Sequence, residues 1–324
     1  MSQDGGRIGH KSYEPERIKL TMEKKQLSGV KRIIAHAMCA DGVMGAAICR
    51  WALPGVGVEF HQYGTPNFAQ LEPAAGMLFV DICPPPHLVS NPVVLETAIV
   101  LDHHKGVEDT IKLFGERGIF ADERSAPGVS GAVLAYQHVL VPAKGPDNEV
   151  LDAAILVGIR DTYQKDHQRW DQACWTSNAV RFYGADYWLT RKPVVSEEQR
   201  LVGRLGVEAR ERQIKEALGN VEYLEVRGTR FAVFCDGKGL VSDLSELLRR
   251  EGRAQVCVGF FYVRNPGDPT LKLVYSLRSD GSWDCASFAK SLGGGGHTKA
   301  AGFSVPADAW ARSPFVIAKS LLES

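Results

Sequence analysis

Ala98-Ile-Val-Leu-Asp-His-His-Lys105 sets an unbroken apolar run directly against three consecutive side chains able to bind metal or move protons. A short apolar run closed by polar residues reads as a strand buried on both faces, as in parallel sheets. Two more segments repeat the arrangement: Val30-Lys-Arg-Ile-Ile-Ala35 ends at His36, and Met77-Leu-Phe-Val80 ends at Asp81. Helical apolar spacing fills the intervals. It runs from Gly42 to Trp51, stopped by Pro54-Gly55, then over Val129 to Leu140, and over Asn148 to Ile159, which ends close to Asp161. Strands alternating with helices predict an α/β fold around a parallel sheet. In such sheets ligands gather beyond the carboxyl ends of the strands, which is where these polar residues fall.

Beyond this region, Pro193 to Asn220 holds a charged amphipathic helix with a Gly219-Asn220 stop, the expected linker. Strand-like pieces follow at Tyr223 to Val226, Arg230 to Cys235, Gln255 to Val263 and Leu271 to Arg278. Helical patterns stand at Ser242 to Arg250 and Trp283 to Leu292. The expected division is therefore a loose arm over 1–29, a parallel-sheet domain over 30–192, a linker helix over 193–220 and a smaller mixed α/β domain over 221–324.

Composition excludes several classes. The 324 residues carry 38 Lys and Arg against 38 Asp and Glu, so no broad basic surface is expected to track a long duplex, and any nucleic-acid substrate should be small. The apolar runs fall short of the ~20 residues needed to span a bilayer. The first 29 residues lack an apolar core long enough for a secretory signal. Seven cysteines without a CxxC pair outline neither a disulfide framework nor a zinc ribbon. These readings point to a cytoplasmic protein with free thiols.

Imidazole and carboxylate ligands suit hard or borderline divalent ions, and an ion pair needs a bridging carboxylate. The strand ends supply that inventory: His36, Cys39 and Asp41, then Asp81, then Asp102-His103-His104, then Asp161 in Gly158-Ile-Arg-Asp-Thr162. Alone, Asp102-His103-His104 would be a polar turn and Cys39 a small buried apolar residue. The run Gly293-Gly-Gly-Gly296 alone would be a flexible loop. With His297 and Ala300-Ala-Gly302 behind it, the run reads better as bare backbone able to approach a phosphate or base.

The ordered set His36…Asp41-Gly42, Leu101-Asp-His-His-Lys105 and Gly158-Ile-Arg-Asp161-Thr resembles the DHH phosphoesterase superfamily. Ser276-Leu-Arg-Ser279 with Gly293-Gly-Gly-Gly-His297…Ala300-Ala-Gly-Phe303 is similar to its DHHA1 substrate domain. The match spans roughly Val30 to Val305. The resemblance implies a DHH catalytic domain joined by a linker helix to a DHHA1 domain, with two divalent ions, manganese by preference. His36 would bind the first ion, Asp41, His103 and Asp161 the second, and Asp81 both. Asp102 would orient a ligand from behind, and His104 would face the scissile phosphate. Arg278, Gly295, Gly296 and His297 would hold substrate across a cleft. One departure stands in the first motif, where Cys39 replaces the usual Asp with one residue fewer after the histidine; its softer sulfur admits iron or zinc.

The activity so implied is hydrolysis of short oligonucleotides, exonuclease-fashion, or of linear or cyclic dinucleotides to mononucleotides. A 3′-phosphomonoesterase acting on a nucleotide bisphosphate is the alternative enzyme. A nucleotide-binding sensor disabled at Cys39 is the alternative outside enzymes. Trp170 and Trp175 could stack on a base but fit core packing better, and a homodimer is compatible with the pattern.

Overall fold

The computed structural model describes residues 22–37, 39–121, 129–237, 239–264, 271–306 and 313–323. Most of the arm expected over 1–29 lies outside them, whereas Met22 and Leu27 are buried in the first core. The chain forms two compact units, Met1–Val207 and Glu208–Ser324, divided within the helix Glu197–Leu218.

The first unit is built on five strands: β1 Arg32–His36, β2 Gly57–His61, β3 Met77–Val80, β4 Ile99–Asp102 and β5 Gly118–Phe120. All pair in parallel, in the order β2-β1-β3-β4-β5. Every residue of β3 and β4 is buried, because both faces are covered. Alternate side chains feed separate cores. Ile33, Leu78, Val80, Ile99 and Leu101 pack with Met44 and Val133 on one face. Ile34, Phe79 and Val100 pack with Phe68, Leu88 and Phe114 on the other. The order reverses between β1 and β3, so a crevice is expected at the carboxyl ends of these neighbours. The helices Ala40–Ala52, Gly131–Ala135, Asn148–Asp161 and Trp170–Tyr183 complete this unit's main helical face. A π-helical turn at Tyr136–Leu140 interrupts the single helix expected over residues 129–140.

The second unit holds β6 Glu222–Val226, β7 Thr229–Cys235, β8 Val256–Arg264, β9 Leu271–Ser279, β10 Gly295–His297 and β11 Ala300–Pro306. Their order is β10-β11-β9-β8-β7-β6, with β7 and β8 parallel and every other pair antiparallel. Helices Val241–Arg250 and the end of Glu197–Leu218 cover Ala232 and Phe234 on one face. Helices Cys285–Ser291 and Pro314–Glu323 cover Phe231, Val233 and Tyr275 on the other. The fold class expected from the sequence is thus the one found: α/β, with a parallel-sheet unit and a smaller mixed α/β unit. No helix among the described residues is long and apolar enough to cross a membrane.

Candidate metal centre

Three adjacent strands end on the side chains that matter. His36 closes β1, Asp81 follows β3, and Asp102 closes β4, leading into His103 and His104. Parallel pairing of β1 with β3 and of β3 with β4 brings these ends together. Asp41 enters from the first turn of Ala40–Ala52, and Asp161 from the last residue of Asn148–Asp161. Asp81 adopts the left-handed backbone, φ 60°, which aspartate tolerates better than most residues and which turns the chain sharply after the strand. Its N–H still donates to the Leu101 carbonyl at 2.9 Å, so β4 pins the bend.

Two groups of ligand-type side chains result: His36, Asp81 and His104, and Asp41, His103 and Asp161, each with donor atoms within 4.8 Å of one another. Asp81 touches both. Its Oδ2 lies 3.3 Å from His36 Nδ1, and its Oδ1 lies 3.1 Å from His103 Nε2. His103 Nε2 is also 3.3 Å from Asp161 Oδ2 and 3.7 Å from Asp41 Oδ2. Cys39 belongs to neither group. It caps the Ala40–Ala52 helix, its sulfur accepting from the Gly42 N–H at 3.0 Å, and its thiol donates to Asp81 Oδ2 at 3.0 Å. Cys39 therefore hydrogen-bonds the carboxylate that touches both groups.

Asp102 is fully buried and works from behind. Its Oδ1 accepts from the backbone N–H groups of His103 and His104 at 2.7 and 3.0 Å, and lies 2.6 Å from His104 Nδ1. That pins the His104 ring and leaves Nε2 for other partners.

Three contributors escaped the sequence reading. Tyr63 accepts from the Cys83 N–H at 2.7 Å and donates to Asp102 Oδ2 at 3.4 Å. Ser130 donates to Asp41 Oδ1 at 2.6 Å, and the Ala132 N–H donates to the same oxygen at 3.1 Å, which directs Oδ2 toward His103. Gly131 keeps the two carboxylates close, since a Cβ there would stand 2.5 Å from Asp81 Cβ and 2.9 Å from Asp41 Oδ2. A Ser-Gly pair heading an apolar helix is a legible start signal, whereas nothing local marks Tyr63.

The electrostatics are those of a pocket made for positive charge. Burial, with Asp81 and Asp161 nearby, pushes the Asp41 carboxyl well up. Burial and the charges of Asp81 and Asp41 push the Cys39 thiol up. Burial also works against the Asp81 carboxylate, but hydrogen bonds from His103 and His36 outweigh it and hold Asp81 well below the usual range. For His103, burial opposes the charge, yet Asp161 and Asp81 push it up to about 11. Two buried polar atoms, His36 Nε2 and Asp41 Oδ2, have no hydrogen-bond partner among the described residues. Unpartnered donor atoms, crowded carboxylates and an imidazole and carboxylate set fit divalent cations.

Substrate-side residues expected from the sequence lie in the second unit. Gly295 to His297 form β10, an ordered strand and not a loop. The register sets Arg278 opposite Ala300 and Ala300 opposite His297. Directly opposed residues on neighbouring strands share a face, so Arg278 and His297 flank one small residue. Gly296, φ 140°, requires glycine, as a Cβ would lie 2.5 Å from the Ala301 Cα, while the space over Gly295 is open. Arg278 donates to the Ser276 hydroxyl at 3.1 Å and to the Leu277 carbonyl at 2.8 Å. Trp170 packs edge-on against Tyr163, with the Arg160 guanidinium 5.3 Å from its ring centroid.

No family model and no curated protein matches the sequence. Among solved structures, the chain is similar to PggH, a pGpG-specific phosphodiesterase from Vibrio cholerae. Identity is 11%, the TM-score is 0.43, and 90% of this chain and 98% of that one are covered. A second likeness is to an uncharacterized protein from Helicobacter pylori G27, at 12% identity and TM-score 0.33, covering 90% of this chain and 97% of that one. Likenesses this distant do not bear on the activity.

Proposed function

We propose that the protein is a DHH-type phosphodiesterase. It uses two divalent ions, manganese by preference, to hydrolyse short oligonucleotides or dinucleotides to mononucleotides. One observation carries the reading: Asp81 offers one carboxylate oxygen to each of two adjoining ligand groups. The order of motifs in the sequence supports it independently. His36 would hold one ion, and Asp41, His103 and Asp161 the other, with Asp81 shared and His104 standing beside the first group to face the phosphate. Ions held there would supply a nucleophile at neutral pH and offset charge on the phosphoryl oxygens.

The protein's own groups set the geometry. Asp102 fixes Nδ1 of His104, and although burial opposes it, the hydrogen bond and charge of Asp102 hold His104 more basic than an ordinary histidine. His104 Nε2–H is thereby ready to donate to a phosphoryl oxygen as charge develops there. Arg278 and His297, on one face of the second sheet, carry donors suited to the parts of the substrate that do not react. Losing them should raise KM more than it lowers kcat.

The direct test is Mn²⁺-dependent cleavage of a panel of dinucleotides, cyclic dinucleotides and a nucleotide bisphosphate. Mononucleotide products that vanish with His103→Ala are expected. Free phosphate from the bisphosphate, without diester cleavage, would replace this reading with the phosphomonoesterase one. Metal binding itself should depend on pH. His103, pushed up to about 11, holds a proton near neutrality when no cation is present and must release it on binding, and the raised Asp41 carboxyl binds a cation only in its deprotonated form. Mn²⁺ affinity is therefore expected to rise between pH 6 and 8, by up to ~10-fold per pH unit for each proton released. Calorimetry in buffers of different ionisation enthalpy counts those protons; a pH-independent affinity with no release would contradict the assignment.

A further inference from the structure

In the second unit, beside the turn Arg227-Gly228 that joins β6 to β7, lies a cavity of about 230 Å³ that none of the preceding chemistry uses. Phe231, Trp283, Phe288 and Leu292 line it together with Leu321 and Leu322 of the helix Pro314–Glu323. Arg227, Thr229 and Ser291 add polar groups. The cavity belongs to the face of the sheet on which Phe231, Tyr275 and Leu277 are packed. Arg278 follows Leu277 on β9, so strand alternation turns it to the opposite face. The cavity is therefore no part of the surface expected to meet substrate.

Its lining suits a small aromatic anion. The Trp283 ring stands edge-on to Phe231 at 89°, with centroids 5.4 Å apart, and 5.1 Å from the Phe288 centroid, so aromatic faces and edges border one space. Such surroundings favour a flat ring over a flexible chain. An apolar cavity of roughly 150 Å³ takes benzene, and this one leaves room for a second ring or a short polar arm. Arg227 holds the left-handed backbone of the turn, φ 50°, and donates to the Glu323 carbonyl at 3.3 Å, which anchors its guanidinium at the lining. A planar fork of N–H donors is the side chain best matched to a carboxylate. The Thr229 hydroxyl makes no hydrogen bond among the described residues and can donate to the same group.

We propose that this cavity binds a small aromatic carboxylate of one or two rings, as an effector of the opposite face. A hydrogen-bonded route joins the two. Ser279, directly after Arg278, donates from its hydroxyl to the Trp283 carbonyl at 2.7 Å and from its N–H to the Lys299 carbonyl at 2.9 Å. The Cys285 N–H donates to the carbonyl of Thr298, the neighbour of His297, at 2.9 Å. A ring seated against Trp283 thus bears on the backbone that carries both Arg278 and His297. Binding stands apart from the proposed reaction, whereas the effect on turnover rests on the phosphodiesterase reading.

The experiment is calorimetric titration of the full chain with indole-3-acetate, indole, tryptamine and octanoate. Indole-3-acetate is expected to bind saturably and ~10-fold or more tighter than each of the others. Arg227→Asn, which still tolerates the left-handed backbone, should weaken indole-3-acetate by about 10-fold and leave indole unchanged. Leu292→Trp, which fills the space, should abolish binding of both. No saturable binding of indole-3-acetate, or undiminished binding in either variant, overturns the site; tighter tryptamine or octanoate overturns the chemistry assigned to it. With Mn²⁺ present, saturating indole-3-acetate should shift KM for a dinucleotide by ~5-fold or more in the native protein and not in Leu292→Trp. Ser279→Ala should bind indole-3-acetate but lose that shift, and a shift that survives there overturns the route. An unshifted native KM with intact binding overturns the effector role. Binding as expected without any dinucleotide cleavage supports the site and refutes the phosphodiesterase reading alone.

Discussion

Asp81→Asn protein is expected to fold, and to lose hydrolytic turnover by at least ~10³-fold, beyond the ~10- to 100-fold typical when only an outer partner of a metal ligand is lost. The asymmetry comes from the residue's position. Asp81 is 1% exposed and meets His36, Cys39 and His103 at once, so the amide that replaces one oxygen removes an anionic contact from both groups together. Folding survives because asparagine is nearly isosteric and also accepts the left-handed backbone that φ 60° demands. Because His103 and His36 hold the Asp81 carboxyl well below the usual range, its charge adds stability at neutral pH, and the melting temperature without metal should fall. Turnover, metal content per chain and melting temperature are the measurements. Native turnover with two ions retained would remove Asp81 from the centre of the scheme.

Gly131→Ala should be the most damaging single methyl in the first unit's site. Its backbone φ is not in the left-handed region, so the cost is purely steric. The new Cβ would press on Asp81 Cβ and Asp41 Oδ2 at 2.5 and 2.9 Å, and neither can retreat from a fully packed sheet edge. Overpacking of this kind costs ~1–3 kcal/mol, which lowers a melting temperature by about 2–4 °C per kcal/mol in a unit of this size. Activity should fall further, by ~10²-fold, because displacements of about 1 Å at a reacting centre are that expensive. Gly295→Ala is the stability control, since nothing stands within 4 Å of a Cβ there. A Gly131→Ala protein with native stability and turnover would mean that the spacing of the two carboxylates is not set as described.

Much of this arrangement could be read before any coordinates. The strands β1, β3 and β4 announce themselves because burial on both faces demands unbroken apolar runs, and the polar residue that ends each run is already at the crevice. Edge strands gave no such signal: β2, Gly-Val-Glu-Phe-His, is half exposed and β5 has three residues. The glycine run hid β10, since strand propensity is absent and pairing with β11 supplies the order. Cys39 was legible as an oddity but not as a hydrogen-bond donor, which depends on Asp81 arriving from another strand. Tyr63 and Ser130 act through neighbours distant in sequence, and no local pattern reports that.

Each unit has an apolar interior of its own, and every ligand-type side chain gathered around Asp81 belongs to the first. Heating should therefore give two endotherms instead of one cooperative transition. Added Mn²⁺ should move only the endotherm of the parallel-sheet unit, by mass action, and leave the other where it was. The molecule would thus carry a built-in reference thermometer against which occupancy of its cation pocket can be read.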